Sequence, residues 1–130
     1  MSGAAQGYAA GTAAARGANA KFETWLWIAQ RASAAVLALC VLVHLATIIY
    51  AVHHSLSGAA ILARTRGNVG ALAFYTLYVL AIAVHAPIGL RALCQEWLGW
   101  RSASLNWVIG ALALALFVFG LRAGAAVFVG

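Results

Sequence analysis

Acidic residues are almost absent from this chain. Glu23 and Glu96 are the only two among 130 residues, and charged side chains of all kinds make up 8%, against roughly 25% in soluble domains. A surface rich in ion pairs is excluded. Cysteine is scarce too. Cys40 falls deep in one apolar stretch and Cys94 at the end of the next, so the pair sits at different depths, reads as two small buried apolar residues, and has no metal-site spacing. Residues 1–20 lack the apolar run of a secretory signal. Their Ala, Gly and Ser, with one arginine, read as a disordered cytoplasmic tail. The net charge of +6 does not point to nucleic acid, because the basic residues stand singly at the ends of apolar stretches, as in membrane proteins.

What the chain has is apolar length. Hydrophobic residues are 65% of the total. No charged side chain occurs between Arg31 and Arg64, from Gly67 to Leu90, or from Ser102 to Leu121. Each stretch is long enough for a hydrocarbon layer of about 30 Å, which takes about 20 helical residues. The expected fold is therefore all-α, an integral membrane three-helix bundle over residues 21–130, with spans at about 24–52, 68–93 and 105–121. Trp25, Trp27 and Tyr50 suit interfacial belts at the two ends of the first span. The segment His53 to Arg66 reads as a loop of mixed apolar character or a short interfacial helix, with His53 and His54 solvated. There is no room for a separate soluble domain.

Orientation follows from basic residues near the span ends. Arg16, Lys21, Arg31, Arg91 and Arg101 lie on the side of the N-terminus and second loop; Arg64, Arg66 and Arg122 lie on the other. Five against three predicts a cytoplasmic N-terminus.

Two histidines fall inside spans, where ionisable groups are functional-site candidates. In His85-Ala86-Pro87-Ile88-Gly89-Leu90-Arg91, a neutral imidazole can bind haem iron. Gly89, one turn on and on the same face, would let a flat macrocycle approach. Pro87 removes the amide that would bond the carbonyl of Ala83. Arg91, about 9 Å further along, would meet a haem propionate or another anion. His44 is the second candidate metal ligand. If Arg31 and Arg91 mark one boundary, His44 and His85 differ in depth by about 10 Å. One iron would then not take both without marked helix displacement, so either each histidine pairs with a residue of another chain or only one of them binds haem. The bland alternative is a histidine bonded to a carbonyl or packed between helices.

At the cytoplasmic rim, Arg31, Ser33, Glu96 and Trp97 offer the hydrogen-bond donors and proton source that a quinone head group needs. Their ordinary reading is a snorkelling arginine, an interfacial tryptophan and a surface ion pair.

These residues resemble a known family. The first span opens on Arg31-Ala32-Ser33-Ala34, similar to the Arg-x-Ser-Gly of the cytochrome b membrane-anchor subunits of succinate dehydrogenases and fumarate reductases, with Ala34 for Gly. The second carries His85, Gly89, Leu90, Arg91 and Glu96 in the spacing His-x3-Gly-[Ile/Leu]-Arg with an acid five residues on, Glu replacing Asp. His44, in Val43-His44-Leu45, is similar to the first-span ligand of the two-haem members. The resemblance covers residues 25–100. Trp27 stands where single-haem members have a hydroxyl, Ala92 where they have a second histidine, and the two-haem members have five helices in one chain.

The resemblance implies a haem-binding anchor of the four- or five-helix type, completed by a second membrane chain. It would sit in a bacterial inner membrane and dock flavoprotein and iron–sulfur subunits on the cytoplasmic face. Haem b would be its cofactor, with His85 as axial ligand, and quinone its substrate near Arg31. The chain alone would oxidise no dicarboxylate. The competing expectations are a haem-free anchor or assembly protein with structural histidines and, less well supported for want of a buried acid, a transporter subunit.

Overall fold

The computed structural model describes residues 2–54 and 57–130. Four helices follow one another: α1 (Ser2–His54), α2 (Gly58–Thr65), α3 (Val69–Trp97) and α4 (Ala103–Val129). Three of them, α1, α3 and α4, are long and apolar enough to cross a membrane, as the charge-free stretches predict. The loop between the first two spans contains the short helix α2, capped by the Ser57 hydroxyl, which accepts from the amide of Ala60. Asn68 caps α3 in the same way through the amide of Ala71. Gly67 (φ 66°) and Gly99 (φ 62°) take left-handed conformations at the ends of α2 and α3, where glycine avoids the Cβ penalty.

Residues 2–20, expected as a disordered tail, continue α1 as helix. Nine alanines against four glycines account for this, since Ala is the strongest helix former and its preference offsets isolated glycines. At 53 residues and 1.5 Å per residue, α1 is about 80 Å long, far more than a bilayer needs. It therefore reaches well beyond the membrane on its N-terminal side.

The middle span, α3, packs against both α1 and α4, so the helices form a layer with α3 at its centre. Its contacts are made by small side chains. Ala81, Ala83 and Pro87 are buried on α3, and Ser33 and Cys40 on α1. Small residues let helix backbones approach closely where lipid supplies no hydrophobic drive for association. On α4, Leu105 and Ile109 are the buried residues. Near the other end of that seam Gly120 lies against Val79, where an added Cβ would come within 2.6 Å of Val79 Cγ1.

Most of the large apolar side chains, from Leu39 and Leu42 to Leu114 and Phe119, are exposed. The accessible surface is 9216 Å², whereas a compact soluble chain of 13.5 kDa would expose about 6,500 Å². The excess is apolar helix surface that lipid or further helices must cover.

Two of the three glycines of α4, Gly120 and Gly110, give a contrasting test. Gly120→Leu should overpack the α3–α4 seam and cost about 1–3 kcal/mol, lowering the melting temperature of the detergent-solubilised protein. Gly110→Ala, with nothing within 4 Å of the added carbon, should leave it within experimental error.

Candidate functional site

His85 sits half-buried at the α1–α3 seam, and its Nδ1 lies 3.4 Å from the Ser33 hydroxyl. That contact fixes how α1 and α3 are aligned. One turn from His85, Gly89 faces the amide of Gln30, whose Nε2 would lie 3.1 Å from an added Cβ. The open face of Gly89, expected to admit a macrocycle, is thus filled by a neighbouring side chain. A glycine here lets α1 approach α3. The side-chain amide oxygen of Gln30, Oε1, is buried and has no hydrogen-bond partner among the described residues, which is costly in a low-dielectric setting.

Arg91 also differs from expectation. Its two terminal nitrogens clasp the Glu23 carboxylate at 3.1 and 2.7 Å, and its Nε donates to Asn106 Oδ1 at 3.0 Å. The guanidinium lies over the Phe22 ring, 5.7 Å from its centre. One side chain therefore ties α3 to both α1 and α4, and the anion opposite Arg91 within this chain is Glu23 rather than a propionate. The hydrogen bond from Arg91, aided by its charge, holds the Glu23 carboxyl below its ordinary value of 4.5 against an opposing desolvation. Glu23 and Asn106 were not singled out from the sequence. The available signal was the rarity of acid: one of only two carboxylates, at a span edge, had several cations to choose among.

Of the four residues expected around a quinone, Ser33 stands apart from Arg31. Ser33 is buried against His85. Arg31, two residues earlier and about 200° around the helix, is exposed, with its guanidinium 5.5 Å from the Trp27 ring centre. Ser33 therefore does not share a face with Arg31. Glu96 and Trp97 are exposed at the end of α3.

His44 lies elsewhere. It lines a cleft of about 640 Å³ formed by the C-terminal half of α1, by α2 and by the start of α3, together with Tyr50, Arg64, Asn68, Phe74 and Tyr75. This volume is ordinary for a small-molecule site. Arg64 stands over Tyr50, 5.5 Å from its centre, and Tyr50 stacks on His54. With Ser33 opposite His85, His44 is eleven residues further along α1, or about 16 Å. That separation exceeds the sequence-based value of 10 Å.

Residues 12–121 match the family described as the succinate dehydrogenase/fumarate reductase transmembrane subunit. The chain belongs to this family. No individual curated protein and no solved structure matches it. It is a multi-pass membrane subunit of succinate dehydrogenase or fumarate reductase complexes.

The residues present fit a haem on one side. His85, half-buried at the α1–α3 seam, is the imidazole that could hold a haem iron, while the face of Gly89 one turn on is taken by Gln30. Among the described residues no second imidazole lies at the level of His85, because His44 is about 16 Å away in depth.

The Glu23–Arg91 clamp predicts a pH dependence. A carboxyl whose folded-state pKa is lowered stabilises the fold fully above its unfolded value and loses that contribution as pH falls through the folded one. The melting temperature of the solubilised protein should therefore drop below about pH 4.5. In Glu23→Gln this drop should shrink. With the Glu23 side chain 56% exposed, the effect should stay under about 1 kcal/mol.

Proposed function

We propose that this subunit is a cytochrome b anchor that carries electrons between iron–sulfur and flavoprotein subunits and membrane quinone. The observation that best supports it is His85, an imidazole at the α1–α3 seam in a chain of this family. Haem b, when bound, supplies a one-electron carrier. His85 would hold it, and a second membrane chain, identical or different, would supply a further ligand. His44 and its cleft form a separate candidate position, served by its own partner.

The docking side is the end bearing Glu23, Arg31, Arg91 and Trp97, together with the stretch of α1 that runs beyond the membrane. The basic residues near the span ends favour placing this end in the cytoplasm of a bacterial cell. Quinone reduction takes up two electrons and two protons, so its head group needs donors at both carbonyl oxygens. Arg31 and the Trp97 indole supply donors, and Glu96 can relay a proton. These residues are exposed in the isolated chain, so the pocket closes only against partner subunits. Ser33, first grouped with them, belongs to the other face of α1.

A haem-free anchor with packing histidines draws support from a different feature: His85 already has a protein partner in Ser33. An absorption spectrum of the purified complex separates the two readings. Reduced b-type bands that disappear in His85→Ala are expected; a colourless complex with full subunit composition overturns the cytochrome reading. Arg31→Ala should lower quinone reduction about tenfold or more, the scale of one lost charged hydrogen bond, while electron transfer to a soluble dye persists. Equal loss of both activities would remove Arg31 from the quinone site.

A further inference from the structure

The Ser33 hydroxyl has one proton and two acceptor positions. It lies 2.7 Å from the carbonyl oxygen of Ala29 and 3.1 Å from that of Gln30. Both carbonyl oxygens can only accept, so the single hydroxyl proton points back along α1. The side of the oxygen that faces His85, 3.4 Å away, therefore presents a lone pair. An unprotonated Nδ1 would set lone pair against lone pair. The favourable pairing is Nδ1–H donating to the Ser33 oxygen, and in the neutral ring this leaves the lone pair on Nε2. Ser33 is buried, with 7% of its surface exposed, so water is poorly placed to substitute for it.

From this geometry we infer that Ser33 is the positioning residue for the His85 ligand, selecting the tautomer that presents Nε2 to iron. The inference rests on the cytochrome reading and moves Ser33 from the quinone pocket to the haem ligand. Its consequence is electronic as well as geometric. An imidazole that donates from its outer nitrogen is a stronger ligand to the metal, and such partners typically change metal affinity 10–100-fold when removed. Stronger donation favours the oxidised iron, so Ser33 keeps the haem potential low.

The experiment is redox titration of the intact complex, with the low-spin electron paramagnetic resonance spectrum recorded alongside. Ser33→Ala should raise the midpoint potential and weaken haem retention about tenfold. Ser33→Thr, which keeps a hydroxyl able to bond the same carbonyls, should restore both. A tenfold change in the reduced-to-oxidised ratio would read as about 59 mV for a one-electron couple. An unchanged potential and spectrum in Ser33→Ala would overturn the assignment, as would equal losses in the Ala and Thr variants, because packing alone would then explain them. If Ser33→Ala fails to assemble, the Thr variant decides: a wild-type potential supports the assignment and a displaced one overturns it. Absence of b-type bands from the wild-type complex is a separate outcome that removes the cytochrome reading itself.

Discussion

Polar groups on membrane helices have to find partners on neighbouring helices, and two residues of α3, His85 within the span and Arg91 at its edge, set the arrangement of this subunit by doing so. His85 meets Ser33 of α1, and Arg91 reaches Glu23 of α1 and Asn106 of α4. Each contact joins helices that are remote in sequence. Sliding α1 by even one residue would rotate Ser33 about 100° away from His85 and leave both polar groups in an apolar seam. Van der Waals packing between small residues tolerates such slips far better. The polar contacts therefore give the register, and Ala81, Ala83 and Cys40 give the closeness.

The spans were legible in the sequence because lipid imposes a strong rule: a long run without charge is helix and crosses the membrane. The position of His85 within its span was legible for the same reason. What could not be read was rotational phase between helices. The string Arg31-Ala32-Ser33 looks like one cluster, yet adjacent positions on a helix diverge by 100° each, and Ser33 and Arg31 serve opposite faces. Gly89 shows the same limit. A missing side chain announces close approach, but only the fold says that Gln30 takes the space. Residues 2–20 illustrate a different failure. Low complexity suggested disorder, while the abundance of alanine favours helix even without a packing partner.

The incomplete burial of the layer carries information about assembly. α3 is covered on two sides and still leaves Leu80, Val84 and Leu90 exposed, with Leu77 beyond them. Lipid can satisfy such surface, since acyl chains are as apolar as leucine. On the cytochrome reading proposed above, lipid would supply neither a second imidazole to His85 nor a closed pocket around Arg31 and Trp97. That chemistry, more than the hydrophobic surface, would call for a companion chain.

The distance between the two histidines sharpens that requirement. With Ser33 opposite His85, the helical rise alone puts His44 about 16 Å away along the membrane normal, at the level of Phe74 and Tyr75. No rotation of side chains spans that gap, and sliding α1 to shorten it would break the Ser33 contact and the Arg91 clamp together. A partner helix that completes a site at His85 must therefore carry its ligand at the depth of Ser33. One that acts at His44 must carry it about three turns further across the bilayer. The two positions make distinct demands, and a companion built for one does not by that fact serve the other.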